Sequence, residues 1–215
     1  MLKHARIKLF YRFLRPYQAR TRRLRGRIFA EKMNVREGMR VVDLGGSTQI
    51  WQWVPTPLDI TLVNLTYDPG VSPVSDAASH HRFHYIIGDA CDVKLPSNSF
   101  DLVYSNSVIE HVGNQQKQQA FANEVHRLAP RFWIQTPSKW FPLEAHSGMP
   151  LWWFYPESWR QYCLKKWRPE LPMWTEMVET TSLVERAALQ HLFPDATILA
   201  ERSLGIVKSH VAFKT

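Results

Sequence analysis

Cysteine is scarce: Cys91 and Cys163 are the only two in 215 residues. Two cysteines give neither a disulfide framework nor a zinc pattern, which fits a reducing compartment. Long apolar runs are missing too. The longest apolar-aromatic block, Leu151 to Tyr155, falls far short of the roughly 18 residues of a membrane span. The start has no small-residue cleavage site after an apolar stretch, so it does not read as a secretory signal, whereas an Arg-rich transit peptide stays open. No internal repeat and no low-complexity linker is present. What remains is a globular balance, 45% hydrophobic and 21% charged, which argues against a disordered or fibrous chain. A chain this long buries roughly 70% of the surface its unfolded form exposes, so one domain plus a short appendage can hold a core without metal or disulfides.

Charge is unevenly placed. The net charge is +8, but residues 1–40 hold 13 of the 27 Lys and Arg against only Glu31 and Glu37, for +11. The other 175 residues carry −3. The protein is a slightly acidic body with a basic N-terminal arm, not a uniformly basic nucleic-acid binder. In the arm Leu2, Leu9, Phe13 and Tyr17 recur at helical spacing, with Phe10 and Leu14 widening the stripe, until Pro16 kinks or ends it. A second basic helix is expected from about Ala19 to Met33, with Leu24, Ile28 and Phe29 inward. Such an arm, residues 1–37, can pack on the body, lie on anionic lipid, or meet a phosphorylated acceptor or nucleic acid.

From residue 38 strands and helices alternate. Five short strands end at Leu44, Asn64, Ile87, Ser105 and Gln135, and a helix is expected over Gln115 to Leu128. This pattern predicts an α/β fold: a Rossmann-like, doubly wound, mostly parallel sheet. Two further strands, 197–201 and 207–213, are expected to pair antiparallel at the C-terminal edge. Ser182 and Glu185 have the spacing of a capping box for the last helix. Residues 138–175 hold ten of the 27 aromatics, broken up by prolines, and read as an insertion that packs internally and walls an acceptor pocket. Trp51 and Trp53 either cover a ligand or staple the first helix.

In an open α/β sheet, ligands bind outside the carboxyl ends of the strands where strand order reverses. The residues just past those ends are Gly45-Gly46, Asn64, Asp89 and Ser105-Asn106-Ser107. Two glycines, an amide and a carboxylate suit an adenosine-like ligand. No metal site is expected.

Four blocks carry a resemblance: Val41-Val-Asp-Leu-Gly-Gly46, Gly88-Asp-Ala90, the run from Leu95 through Ser105-Asn-Ser-Val-Ile-Glu-His-Val112, and Gly205-Ile-Val-Lys-Ser209. In order and spacing they resemble class I S-adenosylmethionine-dependent methyltransferases of the type 11 family, over about residues 38–215. The resemblance implies S-adenosylmethionine as cofactor. It implies Asp43, Gly45 and Gly46 beside the methionine half, Asn64 by the ribose, Asp89 at the adenine amine with Ala90 beside it, and Ser105 under the sulfonium. Two positions depart from the family pattern: Gly45-Gly46-Ser47 stands where G-x-G is usual, and Asn64 where most members have Asp or Glu.

For a hydroxyl acceptor a general base helps, and His111 and His146 are the candidates, with Glu144 able to orient or tune His146. Structural roles stand beside these: Asp43 as a loop brace, and Glu110-His111 satisfying backbone groups. The remaining histidines, including His81 and His210, read as ordinary surface or strand residues. The leading expectation is a cytoplasmic enzyme, peripheral to anionic membrane through residues 1–18. It would methylate a small-molecule, lipid-linked or glycan acceptor, at oxygen. The rivals are RNA or protein methylation through the arm, which the acidic body disfavours, and a non-catalytic cofactor-binding partner subunit.

Overall fold

The computed structural model describes residues 19–66, 79–144 and 147–215. Helix α1 (19–32) leads into β1 (Arg40–Leu44), the one-turn α2 (Thr48–Trp51), β2 (Asp59–Asn64), β3 (Arg82–Ile87) and β4 (Leu102–Asn106). Then follow α3 (Gln115–Leu128), β5 (Phe132–Pro137), α4 (Glu157–Trp167), α5 (Pro172–Thr180), α6 (Arg186–Leu192), β6 (Thr197–Ser203) and β7 (Ile206–Lys214). The alternation is incomplete: β3 and β4 are joined by turns alone.

The seven strands lie in the order β3-β2-β1-β4-β5-β7-β6, the first five parallel. Strand order reverses between β1 and β4, which opens a crevice at their carboxyl ends. The two C-terminal strands do pair antiparallel, but β7 runs antiparallel to β5 as well and inserts between β5 and β6. It is therefore β6 that takes the edge.

Strand alternation explains the two-sided core, since successive side chains point to opposite faces. Val42, Leu44, Val103, Phe132 and Ile134 meet Phe121 and Val125 of α3 and Leu189 of α6. Val41, Leu62, Tyr104 and Trp133 meet Phe29, Met33 and Trp51 on the other face. Phe29 is the hub there, edge-on to Trp51, Tyr104 and Trp133 at ring-centroid distances of 5.0–5.8 Å. Trp51 therefore staples the first helical turn rather than covering a ligand.

Three sequence expectations change. The inward face of α1 is built on Arg25, Gly26, Phe29 and Met33, while Leu24 is exposed. Gly26 permits this: a Cβ there would lie 2.8 Å from that of Trp53. Ser182 and Glu185 make no capping box, because α6 starts at Arg186 with Glu185 as an N-cap that makes no side-chain bond. The Ser182 amide instead donates to Glu110 O at 2.7 Å. His81 is buried just before β3, neither on the surface nor in a strand, whereas His210 is a strand residue of β7 as expected.

The aromatic insertion does pack internally. Trp152, Cys163, Leu164 and Val178 form a small core of their own with Trp153, Trp167 and Trp174 around it. The N-terminal stripe and Pro16 lie outside the described residues. Among those described, no helix is long and apolar enough to cross a membrane.

Candidate functional site

Where β1 ends, the backbone turns through Gly45 at φ +72°, a conformation that favours glycine. Sterics demand glycine here for a second reason. A Cβ on Gly45 would sit 2.6 Å from the Val108 side chain, and one on Gly46 would sit 1.8 Å from Asp43 Oδ2. The bare loop fronts a cavity of about 710 Å³. Its walls are Gly45–Ser47, Leu62–Thr66, Tyr85–Ala90, Val108, His111 and Val112. All of them come from the carboxyl ends of β1 to β4 or the turns just beyond, at the reversal of strand order.

Polar groups are few and placed. Asn64 Nδ2 donates to Gly46 O at 3.1 Å, so its carbonyl end is left for other donors. Asp89 accepts the Cys91 amide on Oδ1 at 2.8 Å and faces Lys117 Nζ at 3.6 Å from Oδ2. Leu65 and Ile87, directly after β2 and at the end of β3, are 72% and 69% exposed. Apolar side chains left bare beside a carboxylate make a slot for a flat, partly apolar group with a hydrogen-bond donor on its edge. Burial, then the Asp89 carboxylate, pushes the neighbouring Cys91 thiol up to about 11, which leaves it chemically inert.

Asp43 and Ser105 do not line this cavity; they lie beneath it. Both are fully buried. Ser105 Oγ donates to Leu44 O at 2.9 Å and ties β4 to the glycine turn. Asp43 Oδ2 accepts the Trp51 indole N–H at 2.9 Å, while Oδ1 has no hydrogen-bond partner among the described residues. Burial pushes the Asp43 carboxyl up to about 7, against the smaller lowering by Trp51.

His111 reaches the cavity wall, with Nδ1 3.4 Å from Thr181 Oγ1. The Thr181 hydroxyl already donates to Met177 O at 2.7 Å. In the tautomer that lets Nδ1 donate to Thr181, Nε2 is the basic nitrogen. Glu144 is buried away from the cavity wall and accepts the Ser147 amide, bracing its own loop. His146 lies outside the described residues.

The arm reaches the same end of the sheet. Arg25 of α1 pairs bidentately with Glu201 of β6, at 2.9 and 2.7 Å, and also donates to Asn106 Oδ1 at the end of β4. Ser209 donates to the same carboxylate. Burial alone would raise Glu201; Arg25 and Ser209 overcome it and hold the carboxyl below its usual range. Burial, reinforced by Arg25, pushes the nearby Lys208 ammonium down to about 8. Sequence reasoning missed this pairing, since its partners lie 176 residues apart. It also missed Leu65, Ile87, Tyr85 and Val108, although large apolar residues just past strand ends were a readable signal.

Residues 42–130, which contain β1, the glycine turn, β4 and α3, match the family model described as a methyltransferase domain. Over that stretch the chain is similar to a methyltransferase domain. No curated protein matches it. Among solved structures it is similar to phosphoethanolamine N-methyltransferase 2 of Haemonchus contortus in complex with phosphomonomethylethanolamine and S-adenosylhomocysteine, at 15% identity and TM-score 0.52. That match covers 77% of this chain but only 35% of the other, so the domain spans about a third of the nematode enzyme. It is also similar to magnesium protoporphyrin IX methyltransferase of Synechocystis with bound S-adenosylmethionine, at 11% identity, TM-score 0.57, and 94% and 82% coverage. The PH0226 protein of Pyrococcus horikoshii matches at 16% identity and TM-score 0.58, covering 92% of this chain and 89% of its own. At such identities the likeness is one of fold.

The cofactor of a methyltransferase domain of this kind is S-adenosylmethionine, and the residues present fit it. The glycine turn presents bare backbone at the cavity wall. Leu65 and Ile87 offer apolar faces for a base, Asp89 an acceptor for an exocyclic amine, and Asn64 an amide for ribose hydroxyls. Among the described residues no group of three or more His, Cys, Asp or Glu could hold a metal ion.

Proposed function

We propose that this chain transfers a methyl group from S-adenosylmethionine to a compact, partly apolar acceptor, a small molecule, lipid-linked intermediate or glycan, most simply at oxygen. The observation that carries this reading is the cavity at the strand-order reversal, with a bare glycine wall, an acceptor carboxylate and apolar flanks. When bound, the cofactor supplies a methyl group already activated by a sulfonium. The chain's own work is therefore to orient two partners in line and exclude water.

In this reading Asp89 and Ala90 hold the adenine edge and Asn64 the ribose, while Gly45 and Gly46 admit the methionine half. Asp43 and Ser105 position that wall from below. His111 takes the acceptor proton at Nε2, with Nδ1 oriented by Thr181. His146, with Glu144 to orient or tune it, is the second candidate for that proton. Residues 1–18 bring a basic amphipathic pattern that suits peripheral contact with anionic lipid from the cytoplasmic side.

Calorimetric titration with S-adenosylmethionine tests the reading. Saturable binding with one site per chain is expected. No heat at high micromolar cofactor would remove the transferase and the cofactor-binding subunit together. If cofactor binds, conversion of S-adenosylmethionine to S-adenosylhomocysteine with hydroxyl-bearing acceptors separates these two: a transferase turns over and His111→Ala slows it, whereas a binding subunit gives no product.

A further inference from the structure

Outside the cavity, the insertion carries a surface that neither cofactor nor core accounts for. Trp140, Phe154, Trp159 and Tyr162 are 48–60% exposed, although their neighbour Trp152 is buried in the small core and Trp167 packs against it. They are not scattered. Trp140 and Phe154 pair at 5.4 Å, and Tyr155 stacks on Trp159 at 5.7 Å. Trp159, Tyr162 and Lys166 follow at spacings of three and four along α4 and so share one face. Lys166 Nζ lies 5.7 Å from the Tyr162 ring centroid. Neither Lys165 nor Lys166 forms an ion pair among the described residues.

A patch of Trp and Tyr beside unpaired lysines has the composition of a membrane–water interface, where amphipathic rings sit at headgroup level and cations meet anionic lipid. Its charge matters because the body beyond residue 40 is net −3. A partner attracted to the body as a whole would be cationic; this face selects an anionic one.

Position supports the same occupant. The insertion leaves the sheet at Pro137, the carboxyl end of β5, and rejoins it where the Ser182 amide meets Glu110 just beyond β4. Helix α1 begins at that end too. Its Arg25 contacts Asn106 at the end of β4, whereas its last-turn neighbour Met33 accepts from Arg131, just before β5. The basic arm therefore enters the described fold at the pole that holds the insertion and the cavity mouth.

We propose that the exposed aromatic and lysine face of the insertion is a contact surface for an anionic lipid membrane. Together with the arm it makes the carboxyl pole of the sheet the membrane-facing pole. The proposal deepens the function above and rests on it only in taking the acceptor to arrive from the lipid surface.

Flotation of the full chain with phosphatidylcholine vesicles, with and without phosphatidylglycerol, tests it. The chain should float only with phosphatidylglycerol present. Full-length Lys165→Glu/Lys166→Glu and Trp159→Ser/Tyr162→Ser should each partition at least about tenfold more weakly. Both pairs are exposed, so far-UV circular dichroism and calorimetric cofactor titration should match wild type. Overturning results are no flotation of wild type, unchanged partition of both variants, or equal binding to pure phosphatidylcholine. A concentration-dependent dimer that both variants abolish would assign the face to a second copy and overturn the proposal as well. Vesicle binding without cofactor binding would sink methyl transfer and leave this surface standing; the converse would do the opposite.

Discussion

Two aspartates near the carboxyl ends of β1 and β3 do different work because water reaches one and not the other. Asp89 stands at the cavity rim with part of its hydrogen-bonding capacity used by Cys91 and Lys117. Replacing it by Ala should weaken S-adenosylmethionine binding by about 1–3 kcal/mol, the cost of leaving a buried amine unpaired. Unchanged calorimetric affinity would remove Asp89 from the site. Asp43 is sealed under the glycine turn with one indole N–H as its donor. Its pKa rises from 3.8 to about 7 on folding. The folded state then binds the proton more tightly, so this residue's contribution to stability falls as pH rises from about 4 to about 7 and levels off above. At full deprotonation the penalty is about 4 kcal/mol. In the ligand-free protein, Asp43→Asn should remove that fall and melt higher than wild type at pH 8 but not at pH 4. Equal melting temperatures at both pH values would show that the carboxylate finds donors the buried geometry does not provide. Neither environment could be read from VVDLGG or GDA, whose spacing marks both positions as important but does not say which one touches solvent.

Helix α1 shows why an element can be legible while its orientation is not. Its existence followed from helical spacing and good helix formers. Its inward face followed only in part: Ile28 and Phe29 do pack on the sheet, but apolar periodicity also chose Leu24, and the fold turns Arg25 inward instead. A guanidinium faces the sheet there because Asn106 and Glu201, itself held by Ser209, meet it, and Gly26 lets the helix come close enough. Removing one member of such a buried pair strands the other charge. Glu201→Met should cost about 3–5 kcal/mol in urea unfolding, and the double variant Arg25→Met/Glu201→Met distinctly less. A single-variant cost below about 1 kcal/mol would mean that water reaches Arg25 freely. The capping box failed for a related reason. Ser182 has the right spacing, but its amide is taken by Glu110, so the chain stays extended until Glu185.

On the scale of the whole molecule, the +8 of the sequence separates into an arm and a slightly acidic body, and the fold brings the arm's helix to the carboxyl end of β4. Composition and periodicity by themselves determined the class: alternating β-branched strands and amphipathic helices have few ways to bury their apolar faces other than a layered parallel sheet. The same information pointed to the carboxyl ends of the strands, where glycines and polar residues cluster and where the cavity lies. Tertiary structure alone decided which of those residues line the cavity and which lie beneath it, where β7 inserts, and that the insertion's aromatics divide between a private core and an open face. Those outcomes depend on contacts between residues tens to more than a hundred positions apart, made only once burial has fixed each element's rotation. Local pattern sets an element's type, and its partners set which side of it the rest of the molecule sees.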